Sequence, residues 1–139
     1  TTRRYETADI EQAIASQAAL VLAAEVRDRF GAQGVTGLAI VRDVSGRVLI
    51  DSFMLSCRVL GRSIELAFLA EVVDRARARF GNVPIHGEYR PTTKNAQTKA
   101  FYEVAGFTKI DESSERSLFA LPSTASVIAP AYLTLDRRP

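Results

Sequence analysis

Val48-Leu49-Ile50-Asp51-Ser52-Phe53-Met54-Leu55-Ser56 runs directly into Cys57-Arg58-Val59-Leu60-Gly61-Arg62-Ser63, and this junction decides how the chain is read. The first stretch is rich in β-forming residues, and beyond the second Ile64, Phe68, Val72 and Ala76 recur at the four-residue spacing of a helix face. The junction therefore falls at a helix N-terminus, where the first backbone N–H groups lack partners and the macrodipole is positive. A glycine that lets the chain approach an anion closely turns such a place into a pyrophosphate cradle. The N–H groups of Leu60, Gly61, Arg62 and Ser63 are the expected phosphate contacts, with Arg58 and Arg62 adding charge. A plain strand-to-helix turn with glycine at a tight bend fits the same residues.

Upstream, Thr1 to Tyr5 is compatible with a short edge strand, and Thr7 caps an alanine-rich helix to about Ala18. Leu20 to Phe30 reads as a strand, Gly31 to Gly34 as a loop and Val35 to Arg42 as a second strand. Asp43-Val44-Ser45-Gly46 is a hairpin signal leading into the strand that ends at Ser56 or Cys57. Three strands on short connections make an antiparallel meander.

Downstream, the helix from about Ser63 to Phe80 ends at Gly81-Asn82, with Arg75, Arg77 and Arg79 where the dipole favours them. Ile85 to Tyr89 is a strand, Pro91-Thr92-Thr93 a break, and Asn95 to Ala105 a helix closed by Gly106. Thr108 to Ile110, Ser117 to Leu121 and Tyr132 to Leu135 supply the last strands. The result is a mixed α+β sheet with a right-handed strand–helix–strand crossover at its centre.

With 139 residues the chain suffices for one domain with a sizeable core. Its apolar share of 47% and charged share of 24% are those of an ordinary globule, with no apolar run of membrane-spanning length, and we expect no signal peptide. Eighteen basic residues are scattered among sixteen acidic ones, so the net charge of +2 gives no basic stripe for nucleic acid. A single cysteine excludes an internal disulfide, and with a single histidine excludes the usual zinc sites; both point to the cytoplasm and to a chain without a metal. The abrupt start at Thr1, with no methionine, leads us to expect a piece of a longer protein.

Arg58-x-x-Gly61-x-Ser63 resembles the acyl-CoA-binding signature of the GNAT acyltransferase superfamily, with Ser63 in place of its last glycine or alanine. Asn95-Ala96-Gln97-Thr98-Lys99-Ala100-Phe101-Tyr102-Glu103-Val104-Ala105-Gly106-Phe107 is similar to the GNAT helix that opens on asparagine and ends in tyrosine, an acidic residue and Gly-Phe. The resemblance implies a single GNAT-like domain over residues 1–139, an α+β fold with a mixed, mostly antiparallel sheet and helices on both faces. It also implies coenzyme A, or the phosphopantetheine of an acyl carrier protein, as the group that is bound.

A narrower resemblance runs through Thr1-Thr2-Arg3-Arg4-Tyr5, Asp28-Arg29-Phe30-Gly31, Ser56 to Arg62 and Tyr89-Arg90-Pro91-Thr92-Thr93-Lys94-Asn95-Ala96. These stretches look like the C-terminal part of FkbH-like proteins. Those proteins join a haloacid-dehalogenase-type phosphatase half to a GNAT-like half and load glyceryl from 1,3-bisphosphoglycerate onto an acyl carrier protein for polyketide biosynthesis. The resemblance implies that carrier, and the missing phosphatase half, as partners. The Asp-x-Asp motif of that half does not occur in this sequence.

Within the same resemblance Tyr102 is the expected acid for a departing thiolate, or else a core residue beside Phe101. Asn95 caps its helix or touches the cofactor. Cys57 is a small buried hydrophobe, or a relay that carries the acyl group as a thioester, favoured by the helix N-terminus and flanking arginines. His86 and Glu88 alternate on one strand and share a face, as a general base for an amine or as a structural pair. Three functions follow: acyl transfer from a carrier thiol, acetyl-CoA-dependent N-acetylation, and non-catalytic carrier docking or structural support.

Overall fold

The computed structural model describes residues 19–28, 31–55, 64–90 and 100–128. Strand β1 (Ala19–Asp28) pairs antiparallel with β2 (Gly31–Val44), which pairs antiparallel with β3 (Arg47–Leu55). Helix α1 (Ile64–Phe80) then leads to β4 (Ile85–Tyr89), which runs parallel to its neighbour β3. After the short helix α2 (Phe101–Val104), β5 (Thr108–Glu112) and β6 (Ser117–Leu121) give, among the described residues, a six-stranded sheet of order β1-β2-β3-β4-β6-β5.

The expected meander is present, with one correction. Gly31 to Gly34 is not a loop but the start of β2, where Asp28 pairs with Gly31 and Arg27 with Ala32. Two register shifts, either side of Glu25, absorb the surplus residues as bulges, so a glycine-rich stretch that reads as a connection remains within the ladder. The β2–β3 hairpin closes at Ser45-Gly46, both at positive φ (54° and 81°), and Asp43 Oδ1 accepts from Gly46 N at 3.1 Å. β5 reaches Glu112, past the expected Ile110. The strand and helix read within residues 1–18, the strand at Tyr132 to Leu135 and the helical turns from Asn95 to Lys99 lie outside the described residues.

One face of the sheet is laid down by alternation. Gly37, Ala39 and Val41 of β2 stand beside Phe53 and Ile50 of β3, then Ile85 and Gly87 of β4, then Leu121 and Phe119 of β6. Helix α1 covers it with Phe68, Leu69, Val72, Val73 and Ala76, the spacing of a single apolar stripe. A Cβ on Gly37 would stand 3.0 Å from Phe68 Cε2, so α1 docks close to the backbone of β2. Helix α2 lies on the same face, since Phe53 meets Phe68 at 5.1 Å and Phe101 at 5.2 Å between ring centroids. The opposite face is buried as well, at Ile40, Ser52, Glu88 and Leu118. No helix among the described residues is long and apolar enough to cross a membrane.

Helix α1 stops where Gly81 N donates to Arg77 O at 2.9 Å. From this last turn Arg77 also reaches the segment beyond β6, donating from Nη1 to Ala125 O at 2.6 Å and from Nη2 to Pro122 O at 2.7 Å. Replacing Arg77 by Ala leaves two carbonyls without their charged donor and should cost about 2 to 3 kcal/mol in urea-induced unfolding. It should also speed limited proteolysis around residues 122–128, whereas Arg77→Lys should recover part of both.

Candidate functional site

Strands β3 and β4 keep register over Val48↔Ile85, Leu49↔His86 and Ile50↔Gly87. Among the described residues the pairing goes no further, although β3 continues to Leu55 and β4 to Tyr89. At the same level β3 carries a bulge: Val41 pairs with Ile50 and Ile40 with Ser52, leaving Asp51 without an opposite residue in β2. Asp51 is buried, and its Oδ2 accepts from Arg42 Nε at 3.0 Å. Glu88, also buried, meets Arg90 through Oε1 in an ion pair. Each carboxylate taken from water thus has a guanidinium.

Tyr102 stands over this parting. Its ring lies so close to β4 that a Cβ at Gly87 would be 2.5 Å from Cε1 and 2.6 Å from Cζ, so a side chain at position 87 would have to displace the ring. The glycine inside the strand exists for this approach. The ring is further held by Phe107 at 5.1 Å, Phe119 at 5.5 Å and Phe101 at 5.5 Å. The Phe107 contact comes from the helix end: Phe107 N donates to Tyr102 O at 2.9 Å and Gly106 N to Glu103 O at 3.1 Å, with Gly106 at φ 102°. This is a Schellman closure, in which the residue after the glycine packs on the one that opens the last turn. The Gly106-Phe107 pair in the sequence is therefore what fixes the Tyr102 ring.

The Tyr102 hydroxyl is buried and finds no hydrogen-bond partner among the described residues. Burial, and then the negative charges of Glu88 and Asp51, hold the phenol far above its ordinary value of 10.0. It stays protonated at any working pH.

His86 and Glu88 do share a face of β4 as expected, but they do not form a pair. His86 is half-buried, its Nδ1 lies 3.4 Å from Val48 O, and desolvation followed by the Arg47 charge lowers its pKa against the opposing pull of that carbonyl. Helix α1 begins at Ile64, directly after the expected cradle. Its first turn holds Glu65, with one carboxylate oxygen buried and without a partner among the described residues. Cys57, Arg58, Leu60, Gly61, Arg62, Ser63 and Asn95 lie outside the described residues. Among the described residues no cluster of three or more His, Cys, Asp or Glu could hold a metal.

Sequence reading passed over Arg42, Asp51 and Gly87. Gly87 carried a signal, an isolated glycine in a short strand, which marks close approach of something to the backbone. The Arg42–Asp51 pair carried none, because the bulge that brings the two together is invisible in the alternation pattern.

No protein-family profile matches the chain, and no curated protein does. Solved structures do. A GNAT-family protein from Desulfovibrio desulfuricans superposes with a TM-score of 0.64 at 19% identity, over 83% of this chain and 76% of the other. A GNAT-family acetyltransferase from Elizabethkingia anophelis with acetyl-CoA bound gives 0.60 at 12% identity, over 84% and 83%. The PaiA N-acetyltransferase of Thermoplasma acidophilum in complex with coenzyme A gives 0.58 at 14% identity, over 75% and 60%. The chain therefore has the GNAT acyltransferase fold.

Three variants probe the site. Gly87→Ala should lose about 1 to 3 kcal/mol in denaturant unfolding, as overpacked cores do, and shortening residue 102 to Leu should restore part of it. Tyr102→Phe should gain about 1 kcal/mol at neutral pH by removing an unsatisfied hydroxyl. It should also lessen the fall in stability above pH 10, where only the unfolded chain releases the phenolic proton. For His86 the folded value lies below the unfolded 6.5, so the unfolded chain binds the proton first as pH drops. Stability should fall below about pH 6.5, and His86→Asn should flatten that part of the pH profile of the melting temperature.

Proposed function

We propose that this chain is an acyltransferase domain that accepts an acyl group from a pantetheine thioester, with acetyl-CoA as donor and an amine as acceptor. One observation carries the reading: parallel strands β3 and β4 separate after Ile50 and Gly87, beside a bulge, in a fold shared with coenzyme A-binding acetyltransferases. An extended pantetheine arm brings amides of its own, and strand edges freed from pairing are where such amides are taken up, as by an added strand. The edges concerned are Ser52 to Leu55 of β3 and Glu88 to Tyr89 of β4. The pyrophosphate falls to the stretch from Arg58 to Ser63 ahead of α1.

The bound donor supplies an activated acyl carbonyl. Tyr102, which keeps its proton, acts as a hydrogen-bond donor toward the thiol sulfur; its buried hydroxyl has an unmet bond to offer. Gly87, Phe107 and Phe119 hold its ring in place.

A second reading keeps the same donor site and loads it from a glyceryl group on the phosphopantetheine of an acyl carrier protein, with Cys57 as relay. It rests on the FkbH-like stretches between Thr1 and Ala96. The acetyl-CoA ligand of a structural neighbour favours the first reading.

Calorimetry with coenzyme A, acetyl-CoA and a holo carrier protein, followed by turnover on primary amines, separates the readings. Coenzyme A and acetyl-CoA should bind and amines should be acetylated, with Tyr102→Phe lowering kcat roughly 100-fold at little change in KM. Binding of the holo carrier alone, with a glyceryl adduct lost in Cys57→Ser, would move the assignment to the carrier reading. Carrier binding without any transfer would leave a docking domain.

A further inference from the structure

We infer that Arg42 and Asp51 form a positioning clamp that sets where β3 leaves β4, and through it the affinity for the pantetheine arm. The effect on affinity rests on the acyltransferase reading above. The register is the first ground. Asp51 is the one residue of β3 that β2 leaves unopposed, between Ile50, opposite Val41, and Ser52, opposite Ile40. A bulge bends its strand and increases the local twist. Ile50, the last residue before the bulge, is also the last to pair with β4, so the bend and the separation occur at one level of the sheet.

Charge and burial are the second ground. Arg42 lies across from Leu49, yet its Nε reaches two residues further along β3 to Asp51 Oδ2 at 3.0 Å. The Asp51 side chain is 3% exposed and that of Arg42 30%, so the carboxylate is the desolvated member and needs its cation. Moving the extra residue back to position 50 would set Asp51 opposite Val41, whose side chain points to the face away from that of Arg42, and so take the carboxylate out of reach of Arg42. The ion pair thus favours the bulge at Asp51 over one at Ile50, which backbone pairing alone would accept. An apolar pair of similar volume could fill the same space without loss of stability, but it would not make that selection.

The test is Arg42→Met with Asp51→Leu, singly and together, followed by thermal melting, hydrogen exchange of the amides of residues 52–55, and steady-state kinetics with acetyl-CoA. Each single variant should melt lower than the parent and the double variant close to it. In the double variant exchange at residues 52–55 should still quicken by about tenfold or more, and KM for acetyl-CoA should rise about tenfold while kcat changes less than about threefold. A double variant with parental exchange and parental KM overturns the clamp and leaves a merely structural ion pair. If the double variant does not fold, Asp51→Asn, which keeps volume and an acceptor oxygen, decides by the same readouts. If the parent neither binds nor uses acetyl-CoA, the acyltransferase reading falls, and exchange alone decides the clamp: quickened exchange upholds it and parental exchange overturns it.

Discussion

The ring of Tyr102 resting on the bare backbone of Gly87 is the contact that seats the segment after β4 on the sheet. A short helix such as α2 has little stability of its own, since few intrahelical bonds offset the cost of its nucleus. It is held because Tyr102 sinks into a recess that only glycine leaves open, and because Phe107, turned back by the closure at Gly106, meets that ring from the other side. Phe101, the neighbouring helical residue, stacks on Phe53 of β3, and Phe53 in turn touches Phe68 of α1. A single aromatic run thus connects both helices to the sheet beside the parting of β3 and β4.

Much of this architecture is legible in the chain. The limits of β4 and β6 fall where the turn residues and β-formers put them, and α1 runs from Ile64 to Phe80 because its apolar stripe and terminal Gly81 say so. The start of β2 departs from its sequence pattern for a physical reason: glycine at positions 31 and 34 signals a turn in one dimension, whereas in a sheet the same freedom lets a strand take up bulges. At the site, Tyr102 could be named from a motif, and its surroundings could not. The carboxylates of Asp51 and Glu88 come near it only because two strands run parallel and then part, and parallel pairing joins residues that no local pattern relates.

The fold and the chemistry around Tyr102 agree on one kind of environment: a dry, aromatic floor with two compensated ion pairs at its border. In such surroundings a phenol retains its proton and interacts through its O–H dipole, which suits it to steady a soft sulfur more than to exchange protons with solvent.

The sheet order has a further consequence. Strands β1, β2 and β3 form one antiparallel blade and β4, β6 and β5 another, and they are sewn together by three residue pairs between Val48 and Ile50 on one side and Ile85 and Gly87 on the other. Any swing of one blade against the other bends that short seam and also works against the Phe53–Phe101 stack and the Arg77 bonds to Pro122 and Ala125, which join the two parts. Substitutions deep in either blade can then accumulate without disturbing the register of its counterpart.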